Sequence, residues 1–481
     1  LFLTRLLFIF LACSAAIAEE VTSTPSVEKG NTAVPSLVEA AKNGDPKAQL
    51  ELGDFYAQAV DEVQGEKKAF KWYQRAAISE NIEGQRRLAE CYRDGKGVEK
   101  NLEEAFKWYT KLSERDDEIG SVEHATFLLR GWGTNSADPE AGIKALEKLE
   151  EKGSAEAAFR LAKTYANGWG GVQPDEEKAL QYCFLAADRG HSYAKYACHH
   201  ELLIGTYRPK DSRKCIKYLR EAADDGIVAA QSKLAYFFFF GEHVAQDFDE
   251  AVVLAKKAAD QGDAQAQCIH GLCLQNGYGI KRDEEQAFEY LLRAAKQESF
   301  WAQRLVGLAF NDGTGVIEDS QKAFAWLKLS ANNGDIDAMK LIAKRYADGR
   351  GTKKNTTESI KWFEKACENG CDLAQYEYSR RLYFGVGLDE DWQKAYSYAK
   401  RSAMQGNAYA QRLLWYAYLT GRGVPRNRQQ AYFWLTLALD QSNDADDATR
   451  LTILKQKLTP VQLADVEQAT LKFIPKKELS R

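Results

Sequence analysis

The chain has 481 residues, of which 45% are hydrophobic, 28% charged and 11% aromatic, with only 9 prolines and 35 glycines. Scarce proline beside plentiful aromatics excludes collagen-like, low-complexity and disordered chains and favours helix. A net charge of −4 provides no global basic field to hold a phosphate backbone, so nucleic acid is not expected as a partner.

The first eighteen residues stand apart from the rest. Arg5 precedes the apolar run Leu6-Leu7-Phe8-Ile9-Phe10-Leu11-Ala12, and Ala16-Ile17-Ala18 then forms an A-x-A cleavage pattern before Glu19-Glu20. This predicts a signal peptide over 1–18 and an exported, periplasmic protein; a retained anchor, lipid attachment at Cys13, secretion and a eukaryotic lumenal location are the alternatives. The apolar run is shorter than the roughly 20 residues of a membrane span. No later stretch supplies one, so no transmembrane segment is expected in the mature chain. Residues 19–35 are polar, contain Pro, Ser and Thr, show no periodicity and read as a flexible linker.

From residue 36 the chain repeats itself. Gly153, Gly190, Gly226, Gly262, Gly334, Gly370 and Gly406 recur at 36 or 37 residues or twice that, with Gly44, Glu80, Asp116 and Glu298 in the remaining slots. A second series, Gly95, Gly131, Gly168, Gly205, Gly241, Gly277, Gly313, Gly349, Gly385 and Gly421, keeps the same step. A fixed period of this size is the signature of a solenoid, placed over 36–441 with eleven units. Four residues after each marker stands a small side chain such as Ala157, Ala230 or Ala338, which allows two helix backbones to cross closely. Bulky residues eight and twelve after the marker, such as Leu161 with Tyr165, complete an apolar stripe. A second helix follows an acidic turn and carries its own small slot, as at Ala105, Ala141 and Ala323, with a bulky residue three positions on; Lys144 breaks that rule in the third unit, and Ala59 replaces the capping glycine in the first. Each unit is a helical hairpin whose apolar faces are too wide to bury alone, so stacking must close the core.

Leu88-Ala89, Tyr92, Gly95, Gly97, Val98, Asn101, Ala105, Trp108 and Tyr109, and again Gly421, Gly423, Val424, Asn427, Ala431 and Trp434, carry a pattern that resembles the Sel-1-like repeat family, a relative of the tetratricopeptide repeat. The resemblance implies an all-α, right-handed α-solenoid of about eleven helix-turn-helix repeats. It also implies a non-catalytic scaffold that holds a protein or peptide on its inner face and is expected to be a monomer. After Asp440 the period breaks; residues 442–481 read as a capping helix pair, with Thr459-Pro460 opening its second member.

No catalytic residue, cofactor or metal ligand emerges as a candidate. The Gly-x-Gly pairs lie between helices and not after a strand, the context a phosphate loop requires. Some relatives are credited with penicillin binding, which makes an envelope enzyme or cell-wall regulator the alternative function. Ser26/Lys29, Ser192/Lys195 and Ser397/Lys400 fit Ser-x-x-Lys but fall at unrelated phases with no Lys-Thr-Gly. His191, Cys198, His199, His200 and Glu201 cluster in the fifth unit, yet consecutive helical residues cannot converge on one ion. Asn355-Thr356-Thr357 would be a glycosylation acceptor in a eukaryotic setting. Among eight cysteines outside the signal segment, Cys198 with Cys215 and Cys367 with Cys371 are the pairs whose positions suggest disulfides. Ile204, Phe240 and Phe384 replace the polar residue before the capping glycine, and five aromatics run from Tyr236 to Phe240, so Ile204, Tyr236, Phe239, Phe240, Tyr383 and Phe384 are the expected partner-binding patch.

Overall fold

The computed structural model describes residues 33–58, 62–207, 209–442 and 444–476; the signal segment, Ser26, Lys29 and Ala59 lie outside them. The described residues fold into α-helices joined by short turns, with one 3-10 turn and no strand. The helices are α1 Ala33–Lys42, α2 Pro46–Ala57, α3 Glu62–Ile78, α4 Ile82–Asp94, α5 Leu102–Glu114, α6 Glu118–Arg130, α7 Pro139–Glu151, α8 Ala155–Asn167, α9 Glu176–Asp188, α10 Ser192–Ile204, α11 Ser212–Asp224 and α12 Val228–Phe240. They continue as α13 Phe248–Asp260, α14 Ala264–Asn276, α15 Glu284–Lys296, α16 Phe300–Asp312, α17 Ser320–Asn332, α18 Ile336–Asp348, α19 Thr356–Glu368, α20 Asp372–Phe384, α21 Trp392–Met404, α22 Ala408–Thr420, α23 Arg428–Ser442, α24 Ala445–Lys455 and α25 Pro460–Leu471. Helices α2 to α23 form eleven hairpins, an α-solenoid as the period predicts. Helix α1 opens three residues inside the segment read as linker.

Two compact units divide the chain. One holds the described residues up to Leu234 with 243–245, and the other holds 235–242 with everything from Gln246 onward. Within each unit a helix packs chiefly on its two neighbours in sequence, which is how stacked hairpins bury faces that one hairpin leaves exposed.

The turns explain the spacing. Gly95, Gly131, Gly168, Gly205, Gly277, Gly313, Gly349, Gly385 and Gly421 end the first helix of their hairpins in the left-handed conformation. Where the other series lacks glycine, Glu80, Asp116 and Glu298 still adopt φ values of 59°, 55° and 63°, so the turn dictates the conformation and the residue submits to it. The second helix of each hairpin is N-capped by Asp or Asn from Asn101 to Asp391, whose side chains accept an amide of the first turn, as Asp175 does from Lys178 at 3.0 Å.

The small slots mark the crossings. Ala157, Ala194, Ala266, Ala302, Ala338 and Ala374 are fully buried. A Cβ on Gly84 would stand 2.7 Å from that of Ala76, so no larger residue fits without moving a helix. In the third unit the slot is not Ala141 but Gly142, where a Cβ would meet Leu129 Cγ at 2.6 Å. That unit carries its additional residue in the turn before N-cap Asp138. Lys144 is therefore out of phase with the aromatic slot, and Ala145 occupies it.

A buried glutamine clamp went unnoticed in the sequence. Gln49, Gln85, Gln231, Gln267, Gln303, Gln375 and Gln411 each donate Nε2 to a carbonyl eight residues earlier, at the end of the preceding helix, over 3.0–3.3 Å. Several also accept through Oε1 from the end of the second helix of their own hairpin, from Gln297, Asn333, Gln405 or Gln441 at 3.0–3.2 Å. These bonds satisfy helix-end carbonyls that have no intrahelical partner, inside a core where an unmade bond is costly.

Candidate functional site

The five aromatics of α12 are sorted by the 100° turn between successive helical residues. Phe237 and Phe238 are buried, and so is Phe239, whose ring packs 5.6 Å from Phe248 and 6.2 Å from Tyr278. Phe240 remains 44% exposed, its ring 4.7 Å from half-buried Tyr236 and 6.1 Å from Trp301 of α16. Half-buried Leu272 of α14 and Leu305 and Leu308 of α16 occupy exposed-stripe phases on the first helices of their hairpins, Leu272 and Leu308 the same one as Tyr236. The Tyr236 hydroxyl donates to Glu242 at the rim of this patch at 3.2 Å, while Tyr236's own phase, apolar again at Leu272 and Leu308, is charged in other hairpins at Glu90, Lys163, Lys344 and Arg380. Trp301 and the three leucines were missed in the sequence; comparing Tyr236's phase across all hairpins was the signal that would have found Leu272 and Leu308, while Trp301 and Leu305 stand at other phases.

The other expected patch residues do not join this group. Tyr383 is fully buried and its hydroxyl lies 3.0 Å from Thr420 Oγ1, which makes it a core residue. Phe384 is 50% exposed beside it, four hairpins beyond Phe240 along the chain and without a ring contact to that cluster. Ile204, 42% exposed, belongs to the first unit. A separate open hollow of about 1000 Å³ lies among the turns of the last hairpins, against Tyr378, Leu382, Trp392, Val424 and Pro425.

The predicted cysteine pairs are not bonded. Cys198 Sγ lies 3.3 Å from Cys183 Sγ across the α9/α10 seam, while Cys215 fills the small crossing slot of α11 and donates to His199 O at 3.6 Å. Cys371 is the N-cap of α20, accepting the Ala374 amide at 3.5 Å, the position that Asp335 and Asn407 hold in neighbouring hairpins. Burial raises the Cys91, Cys215, Cys268 and Cys273 thiols to about 12.

The fifth-unit histidines have structural duties. His191 caps α10 by accepting the Ala194 amide through Nδ1, and its Nε2 meets Glu156 at 2.9 Å. Although burial opposes ionisation, that bond and Arg160 hold the Glu156 carboxyl down at about 2. His199 is buried against the Tyr196 carbonyl, and burial lowers it to about 4. Ser192 donates to Asp225 at 2.5 Å and Lys195 pairs with Glu221 at 3.0 Å, so this Ser-x-x-Lys pair spends both side chains on neighbouring carboxylates. Asn355 caps α19 through Oδ1 at 3.0 Å. No described helix is long and apolar enough to cross a membrane.

The comparisons agree with this architecture. The Sel1 repeat model matches residues 46–80, 82–117, 155–191, 192–227, 228–263, 264–299, 302–335, 336–371, 372–407 and 408–443. The unmatched hairpin is α6 with α7, in which Gly142 and Ala145 occupy the small and aromatic slots. Among solved structures, c5321, a protective antigen of uropathogenic Escherichia coli displaying an SLR fold, is 26% identical with a TM-score of 0.72, covering 92% of this chain and 94% of its own. A Sel1 repeat protein from Oxalobacter formigenes is 28% identical with a TM-score of 0.52, over 69% of this chain and 93% of that one. No curated protein matches the chain significantly. With ten family repeats on an uninterrupted run of helical hairpins, the chain belongs to the Sel1 repeat family.

Proposed function

We propose that the protein is a non-catalytic scaffold, exported to the cell envelope, that holds a protein or peptide on the exposed faces of the first helices of its hairpins. The observation that carries this reading is the ring cluster of Tyr236, Phe240 and Trp301, with Leu272, Leu305 and Leu308 at first-helix phases that several other hairpins fill with charge. Aromatic anchors beside aliphatic side chains are the usual centre of a binding surface, and an apolar patch on an otherwise charged repeat marks where a partner excludes water. The family fold supports a partner-binding role, and the Arg5-to-Ala18 segment supports export.

The test is crosslinking capture from an envelope fraction with wild type, Phe240→Ser/Trp301→Ser and Phe384→Ser chains. Loss of the captured partner in the double variant only, with an unchanged helical spectrum and melting temperature, is the expected result. Equal capture by all three chains would remove the patch from consideration.

A further inference from the structure

At the end of α6 one guanidinium is built into an aromatic clasp. Arg130 Cζ lies 3.8 Å from the ring centroid of Trp169 and 4.7 Å from that of Trp132. Both indoles come from turns that the fold holds in place. Trp132 packs edge-on against buried Phe127 at 5.4 Å. Trp169 opens the 3-10 turn Trp169–Gly171, in which Gly170 (φ 68°) presses so close to the Leu129 carbonyl that any Cβ would overlap it.

Among the described residues no carboxylate forms an ion pair with this cation, although the charge of Glu123 acts on it from a distance. Among the described residues Arg130 makes no hydrogen bond or ion pair, and its Nε is buried without an acceptor. The carboxylates nearby are committed elsewhere: Glu123 to Arg160 at 2.9 Å and Arg93 at 3.5 Å, Glu156 to Arg160 at 2.7 Å and His191 at 2.9 Å. Lys163, 5% exposed and 6.0 Å from the Trp169 centroid, adds another cation to the corner. Burial first, and then the charge of Arg160, push the Arg130 pKa below its ordinary value, so the site as it stands disfavours the charge it holds.

We propose that Arg130, Trp132 and Trp169 form a binding site for a glutamate or aspartate side chain of an acidic segment in the protein partner. The inference rests on the scaffold reading above and adds the partner's chemistry. Contact with two indoles restrains the guanidinium, leaving a planar fork that matches a carboxylate with two parallel N–H donors and little further loss of rotamer freedom. A carboxylate arriving there neutralises a partly desolvated charge, which is worth more than a pair between fully hydrated side chains.

Calorimetric titration of the full chain with a blocked tetraglutamate peptide, acetylated and amidated so that only side-chain carboxylates remain, tests the site. Saturable binding is expected, weakened about tenfold or more by Arg130→Gln, weakened also by Arg130→Lys, which keeps the charge without the fork, and absent with a tetraglutamine peptide. Thermal melts of both variants establish that they fold, and Arg130→Lys keeps the test valid if Arg130→Gln does not. Absence of peptide binding to the wild type, equal binding by Arg130→Gln, or Arg130-dependent binding of inorganic phosphate without peptide binding would each overturn the proposal. Capture through Phe240 and Trp301 is scored separately, so failure of this site leaves the scaffold reading standing, and failure of capture leaves the peptide result standing.

Discussion

The turn between α14 and α15 tests how successive hairpins hold their spacing. Gly277 and Gly279 lie two residues apart with φ values of 74° and 65°, so alanine at either is forced into the left-handed region, at about 1–2 kcal/mol. Their surroundings differ. A Cβ on Gly277 would first meet Arg282 Cβ at 3.5 Å, an ordinary contact, whereas one on Gly279 would stand 2.5 Å from the Phe248 carbonyl oxygen and 2.7 Å from its carbon. That carbonyl belongs to the first turn of α13 and cannot swing aside as a side chain can. Relief requires the turn and the helix end to separate by several tenths of an ångström, an overpacking cost of about 1–3 kcal/mol beyond the conformational one. Gly277→Ala is therefore expected to cost about 1–2 kcal/mol and Gly279→Ala about 2–5 kcal/mol, larger by the overpacking cost of about 1–3 kcal/mol. Urea denaturation of both variants, with hydrogen exchange across residues 248–296 to localise the loss, measures the difference. Equal destabilisation within about 0.5 kcal/mol would show that the second glycine is a conformational requirement only, and would refute the close-approach argument.

Four further outcomes follow from particular contacts. Gln303→Met, copying the residue that stands at the same phase at Met339, leaves the Ala295 carbonyl and the Asn333 amide without Gln303 and is expected to lower stability by about 1–3 kcal/mol by denaturant titration. Cys371→Asp supplies the stronger cap found at Asp335 and places a carboxylate near Lys340, so a gain of about 0.5–1 kcal/mol is expected, read as a raised melting temperature. His199 is held neutral by burial down to about pH 4 while the unfolded chain titrates near 6.5; the unfolded state binds more protons between those values, so stability complete above pH 6.5 is lost as pH falls towards 4, by roughly 3 kcal/mol in all, and His199→Gln should flatten that stretch of the stability curve. A thiol reagent at mildly alkaline pH should label partly exposed Cys371 first, and the buried cysteines with thiols raised to about 12 only on unfolding, followed by peptide mapping.

What could be read from the chain was whatever depends on neighbours close in sequence. The left-handed slots, the N-caps and the period belong to turns a few residues long, which is why even Glu80, Asp116 and Glu298 could be assigned to glycine positions before any helix was placed. The third unit shows the limit of that reading: one additional residue in a turn moved the crossing slot from Ala141 to Gly142, and only packing against Leu129 distinguishes them. The patch was half legible. The aromatic run announced that α12 was unusual, but which of five rings faces solvent depends on what α13 and α14 bring against them, and Trp301 reaches Phe240 from another hairpin.

Contacts between hairpins were not legible at all. Cys198 meets Cys183 and not Cys215, Gln303 joins a helix end to the following hairpin, and Arg130 is enclosed by tryptophans from two different turns. The sequence by itself determined the repeat, the helix ends and the small crossing residues outside the third unit, because steric limits on the backbone act locally. Only the tertiary structure decided which side chains meet across a seam and which stay exposed, because those depend on the angle and offset between stacked helices, and one residue of slip turns a helical side chain by about 100°.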